Sequence, residues 1–180
     1  MDSRENTIEH IQIVREMLEL FCKHLDLRGQ EHDRSKLFDP EKAIFDKMIP
    51  KLKSCDYGTP EYMEMLDELK PALDHHYKHN SHHAEHAGRK AQCDMCGNLQ
   101  ERATTKCENC GVTYTWSIHT DLSGMNLIDL VEMMCDWKAA TLRHDSGDIS
   151  KSMEVNTKRF NIPDDLVKIL ENTIDYFGWR

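Results

Sequence analysis

The sequence predicts an all-α frame with one small β-prone module set into it. Two observations carry that expectation. Apolar residues recur at three- and four-residue steps over most of the chain, and between residues 88 and 120 that pattern gives way to cysteines and glycines. The 180 residues suit one compact domain with room for a short insert. Ile11, Val14, Leu18, Phe21 and Leu25 mark a first helix from Ile8 to Leu25, with Asn6 as a cap, Glu9 three positions on and Gly29 past its end. Asp39-Pro40 and Thr59-Pro60 each put a capping side chain before a proline, opening helices that Pro50 and Pro71 interrupt or kink. Ala72 to His86 holds no glycine or proline and reads as a helix. Six histidines (His75, His76, His79, His82, His83 and His86) crowd into twelve of its positions, so it is not all core. Val112 to Trp116 is the β-prone stretch. Helical periodicity resumes from Leu127 to Leu142, Ile149 to Phe160 and Asp164 to Phe177. Residues 1–87 and 121–180 thus form the helical frame and 88–120 the insert.

Charge narrows the function. Acidic side chains number 32 against 23 basic, a formal net charge of -9, whereas nucleic-acid coats and binders of anionic membranes rely on basic surface. A small ligand fits better. No apolar run approaches the roughly 18 residues that cross a bilayer, and the first residues lack the basic and apolar regions of a signal peptide, so the expected setting is cytoplasmic. Disulfides are disfavoured there, which turns attention to metal for the 7 cysteines and 11 histidines.

Cys93-Asp-Met-Cys96-Gly97 and Cys107-Glu-Asn-Cys110-Gly111 form two C-x-x-C pairs, each followed by glycine. A two-residue gap lets a tight turn aim both thiolates at one ion, and the glycine permits backbone N–H groups to face sulfur. Four thiolates suit one tetrahedral zinc, and a closed site of this kind is structural: it folds residues that lack a core of their own. Arg102, Tyr114 and Trp116 either pack the module onto the helices or form a recognition surface. Cys22, Cys55 and Cys135 read as ordinary thiols.

A second constellation is scattered through the frame. His32-Asp33 presents an imidazole and a carboxylate from one turn of chain, His10 neighbours the first apolar stripe, and His76 and Asn80, or His79 and His83, lie four apart on one helical face. Glu132 and Asp136 are also four apart in an otherwise apolar helix, where carboxylates are expensive unless paired or bound to metal. Asp136 is then a candidate ligand, and Glu132 a candidate partner of a ligand or a base. Solvated helix positions are the plain alternative.

In order, His10, His32-Asp33, His76, His82 or His83, and Asp136 resemble the ligand succession of the HD superfamily of metal-dependent phosphohydrolases. His32-Asp-Arg-Ser-Lys36, His76-Tyr-Lys-His-Asn80-Ser-His82-His83 and Glu132-Met-Met-Cys-Asp136-Trp137 look like the signatures HDxSK, HxxxNxHH and EMxxDW of small phage and bacterial HD-like proteins. The resemblance spans His10 to Trp137 apart from the cysteine module, and implies an all-α, HD-like helical bundle around one or two divalent ions. It makes His32, Asp33 and Asp136 primary ligands, completed by His10, with His76 and His82 or His83 available to a second ion and Asp33 able to bridge both. Mn, Fe, Co, Ni and Zn all suit such nitrogen and oxygen donors. The implied activity is hydrolysis of a nucleotide or related small phosphorylated molecule by a metal-activated water, in a bacterium or phage-infected host. Lys36 would neutralise phosphate charge, Glu132 and Asn80 would assist catalysis, and Arg28 and Arg143 would contact substrate. The resemblance leaves open a di-iron oxygenase, a non-catalytic factor binding a nucleotide or a host protein, and assembly as a homo-oligomer.

Overall fold

The structure, a computed structural model, describes residues 3–52, 60–100, 105–113, 116–143 and 147–180. Cys55, Thr59, Arg102, Tyr114 and Thr115, on which some sequence expectations fall, lie outside the described residues.

The first helix, α1, runs over Ser3–Glu31, 29 residues, and is longer at both ends than its apolar pattern suggests. Asn6 lies inside it rather than capping it, and so does Gly29. No proline occurs before Pro40, and a single helical glycine costs only about 1 kcal/mol. One side is stitched by four-residue polar pairs, Gln12 to Glu16, Arg15 to Glu19 and Gln30 to Asp26.

Residues 34–37 make a tight helical turn after Asp33, and α2 (Glu41–Leu52) follows with Asp39 accepting the Ala43 N–H at 3.2 Å. The next helix, α3 (Pro60–His79), packs against α2, and Met48, Leu69 and Ala72 are buried. Pro50 and Pro71 sit within these helices and end neither. Each removes one backbone hydrogen bond, a loss that flanking burial outweighs.

The helix expected to reach His86 stops at His79. Asn80 turns its amide back onto the His76 carbonyl at 2.8 Å, Ser81 donates to Asp129 at 2.6 Å, and the chain turns before the short α4 (Ala84–Ala87). Strands β1 (Arg89–Cys93), β2 (Leu99–Gln100) and β3 (Trp116–Thr120) form an antiparallel sheet in the order β2-β1-β3, with Ala91 paired to both Gln100 and Ile118. Val112 and Thr113, in the stretch expected to be a strand, are not in one: the Val112 carbonyl already accepts the Cys107 N–H at 2.9 Å in a cysteine turn, and the described strand is Trp116–Thr120.

Asn126 opens α5 (Leu127–Thr141) with a reciprocal cap shared with Asp129. Helices α6 (Ile149–Phe160) and α7 (Asp164–Tyr176) complete the chain. Met134, Ile149, Met153, Leu170 and Ile174 form one core cluster; Ala84, Met133, Phe160 and Ile162 form another, and Trp137 packs against both. This core fixes α5, whose opposite side carries Glu132 and Asp136. The structure is thus mostly helical with one small sheet. Among the described residues, no helix is long and apolar enough to cross a membrane.

Candidate metal centre

The four cysteines converge. Cys93, Cys96, Cys107 and Cys110 place their sulfurs within 4.8 Å of one another, and Cys93 to Cys110 and Cys96 to Cys107 are 3.6 and 3.7 Å apart. The two turns repeat one backbone plan. Gly97 donates to the Cys93 carbonyl and Gly111 to that of Cys107, while the N–H of Cys93 and of Cys107 bonds the carbonyl five residues on. Gly97 and Gly111 have φ of 72° and 71°, a region that side chains rarely occupy. The Asn109 amide and the Asn98 N–H pull the Cys96 thiol down to about 6. Although the Val112 N–H favours its thiolate, burial and the neighbouring sulfurs push Cys110 up to about 12. Thiols this close ionise together only when a cation joins them.

The second centre draws on three parts of the chain. Asp33 and His32 come from the turn after α1, His76 from the end of α3, His82 and His83 from the turn into α4, and Asp136 from α5. Asp33, His76, His82 and His83 form one group able to hold a metal ion; His32, His82 and Asp136 form another, sharing His82. Asp33 adopts a left-handed backbone, φ 54°, which costs energy for a residue with a side chain and turns its carboxylate inward.

Buried acceptors aim the imidazoles. His32 Nδ1 is 2.9 Å and His82 Nδ1 3.0 Å from the same oxygen of Glu132, and His76 Nδ1 is 2.9 Å from Glu41. A carboxylate acceptor fixes the proton on Nδ1 and leaves an Nε2 lone pair free. Those Nε2 atoms converge on Asp33: His76 is 3.1 Å and His82 3.5 Å from its Oδ1, while His32 lies 3.7 Å from Oδ2 and 3.5 Å from Asp136. His76 and His83 bring Nε2 to Nε2 at 2.8 Å, which two lone pairs tolerate only with a proton or cation beside them. Asp33 Oδ1 and His82 Nε2, which face the middle of the centre, are buried with no well-formed hydrogen bond, as is Glu132 Oε2, which lies against Arg28 instead. The donor set fits a divalent transition metal.

Charge reinforces the arrangement. Burial opposes ionisation of Asp33, but His76, His82 and Lys36 outweigh it and hold the carboxyl well below its ordinary value. Glu132 is likewise held low, with His32, His82 and Arg28 overcoming burial. Hydrogen bonds to Asp136 and Glu132 raise His32 to about 10, whereas burial and the neighbouring His82 and His76 push His83 down to about 3.

The other expected site residues divide sharply. Glu132 accepts from two imidazoles with one oxygen and meets Arg28 at 2.5 Å with the other, so it orients ligands. Arg28 also contacts Asp129 at 2.9 Å and Ser81 at 3.0 Å, which ties α1, α5 and the histidine turn together. Asn80 donates to Ser35 at 2.8 Å and lies behind His76. Lys36 meets the outer oxygen of Asp33 at 2.6 Å. Arg143, just past α5, is exposed and belongs to neither group. His10 is not brought to the centre. It is exposed on α1, 22 residues before His32, and a straight helix separates the two by about 33 Å.

Sequence reasoning missed Glu41, which is fully buried, accepts from His75 as well as His76, and takes a hydrogen bond from Ser35 at 3.0 Å. Only its place two residues into a helix opened by Asp39-Pro40 marked it, and nothing there signals burial.

Fold and donor sets together define a mostly helical protein with two kinds of side-chain group able to hold metal ions, one of thiolates and one of imidazoles with carboxylates. Residues 1–176 match a Family of unknown function (DUF5662), and the chain belongs to that family. No curated protein and no solved structure matches the chain.

Proposed function

We propose that the chain is an HD-type, metal-dependent phosphohydrolase acting on a nucleotide or related small phosphorylated molecule, with the cysteine module as a structural zinc ribbon. The observation that carries this reading is the convergence of Nε2 atoms on Asp33, each ring of His32, His76 and His82 being anchored through Nδ1 on a buried carboxylate. Such a set is preorganised for divalent metal rather than for packing. The HD-like resemblance supports the same assignment, with Asp33 and His82 standing where the two groups meet.

A bound divalent ion would lower the pKa of a water and polarise a phosphoryl oxygen. The protein's part is to hold and to admit. His76 and His82 are 1% and 2% exposed and rigidly held, whereas the side chains of Asp33 and Asp136 are 20% and 26% exposed and leave the centre open on one side. Lys36 stands at that opening, placed to meet an anionic oxygen. A cleft of about 270 Å³ adjoins the centre at His32 and Asp136, is lined also by Leu25, Arg28 and Val131 among others, and suits a small ligand.

The test is phosphate or pyrophosphate release from nucleoside mono-, tri- and cyclic phosphates with manganese present. The wild-type protein is expected to turn over at least one of them, and Asp33→Ala to lose more than 100-fold of that rate while keeping its helical content. Inactivity of fully loaded protein across the panel would overturn the phosphohydrolase reading. Stoichiometric native iron with oxygen consumption would favour the oxygenase instead.

A further inference from the structure

From Ser3 to His24 every residue of α1 is exposed, over a length of about 33 Å. These residues are not a solvent-facing helix by composition. Nine large apolar side chains from Ile8 to Leu27 are 42 to 61% exposed, among them Ile11, Val14, Leu18 and Phe21. On a helical projection eight of the nine run from Leu27 round to Ile11 over about 200° of circumference, and the internally paired Gln12, Glu16 and Glu19 occupy the remainder together with Ile8. Helices in water draw most of their stability from burying an apolar face, and this one has none buried within its own chain.

We propose that α1 pairs antiparallel with α1 of a second copy of this chain. Three arguments select that occupant. Covering the five of these side chains that share one side of the helix, Ile11, Val14, Met17, Leu18 and Phe21, removes on the order of 500 Å² from each copy, about 1,000 Å² in all, the size at which specific interfaces begin. The surface is self-complementary under a two-fold axis: the exposed apolar run is centred between Met17 and Leu18, so a pairing about that point sets Val14 against Phe21 and His10 against Leu25. Those four residues fall within about 60° of arc, so one continuous seam faces its own copy. A parallel pairing fails on bulk, because the folded body sits at the Arg28 end on the seam side. Two bodies of roughly 15 Å radius of gyration cannot share one end of helices whose axes lie about 8–10 Å apart.

Antiparallel pairing also alters the cleft. The partner's helix crosses the apolar wall formed by Leu25, Val131, Cys135 and Ala139, and its first turns reach the end with Arg28, His32 and Asp136. It brings the partner's His10 opposite Leu25, about 10 Å along the axis from His32 instead of about 33 Å. Each copy thereby supplies a histidine to the mouth of the other's cleft. That last placement rests on the metal-centre reading above; the pairing does not.

The full chain, with its metals retained, is expected to show the mass of two chains by light scattering, and Leu18→Glu the mass of one. Substitutions that do not threaten folding fix the geometry: Met17→Cys next to the axis is expected to form an intermolecular disulfide on oxidation, mapped by peptide mass spectrometry, whereas Val14→Cys, about 10 Å from its copy, is not. In the manganese-loaded protein the His10 ring resonances are expected to broaden, and to sharpen in Leu18→Glu. A single-chain mass for the wild type, as when an unrelated protein covers α1, would overturn the proposal, as would equal cross-linking at both positions. An unbroadened His10 in a manganese-loaded dimer would remove it from the cleft mouth. Failure to bind manganese would instead sink the metal reading, with mass and cross-links still deciding the pairing.

Discussion

The two donor groups are built on opposite principles. The cysteine module takes its sulfurs from 18 consecutive residues, through two copies of one backbone turn, and the buried side chains described there are Ala91, Gln100 and the two inner cysteines. The His/Asp centre draws its donors from His32 to Asp136, and three of its imidazoles are held from behind by side chains of other elements: His32 and His82 by Glu132, His76 by Glu41. On the proposed zinc reading the ion would make the structure in the first; in the second the structure makes the site. Short-range turns need a cation to gain a core, whereas helices with their own core can position donors before any ion arrives.

The comparison breaks most readily by removing metal. Chelation, or Cys107→Ser, is expected to unfold residues 89–120 while α5, α6 and α7 keep their slow amide exchange, because structural zinc contributes about 10 kcal/mol to units of this kind and the two helical core clusters include no residue of the strands. Hydrogen exchange with mass spectrometry checks this segment by segment. Protection lost together in both regions would mean that the module and the frame fold as one unit, and the contrast would fail.

The same contrast decides what could be read from the sequence. The cysteine module was legible almost completely, since ligand spacing and glycines are consecutive letters and the turn they specify is local. The frame was legible as helices, because the apolar period survives in Leu127 to Leu142 and in Asp164 to Phe177. Where side chains bond back on the chain or across the fold the reading slipped: α3 ends where Asn80 turns onto the His76 carbonyl and Ser81 donates to the Asp129 carboxylate, 48 residues away. His10 failed for a related reason. Its stripe predicts an inward face, but what that face meets is not written in α1. Glu41 was invisible because an acidic residue in a first helical turn is ordinary, and only the fold lays two histidines of α3 upon it.

Glu41 therefore tests the preorganised half. Glu41→Ala leaves the inner nitrogens of His75 and His76 without their shared acceptor in a fully buried place, and is expected to destabilise the helical frame by about 3 kcal/mol. Metal affinity at the centre is expected to fall about 10- to 100-fold, with zinc at the cysteines retained. Thermal unfolding followed by metal titration measures both. An unchanged affinity would mean that His76 needs no anchor and that the ion arranges this site too.

The smallest effect sharpens the contrast without touching a ligand's backbone. In chelated protein His32 has gained Asp136 and Glu132 as partners, which raise it from an ordinary value near 6.5 to about 10. A folded value above the unfolded one means that the protonated ring stabilises the fold, fully below about pH 6.5, and that this contribution is lost as pH rises through about 10. Nominally the shift corresponds to about 5 kcal/mol at 1.36 kcal/mol per pH unit; with Glu132 shared by His82 and the ring open to the cleft, about 2 kcal/mol is the expected size. The stability gap between wild type and His32→Gln, measured by urea unfolding of the helical signal, should therefore be widest near pH 6 and close toward pH 10. A gap that persists at pH 10 would trace it to packing in place of charge. A gap that is absent at pH 6 would show that the carboxylates do not hold the ring until metal does, and the two centres would then differ only in the length of chain between their ligands.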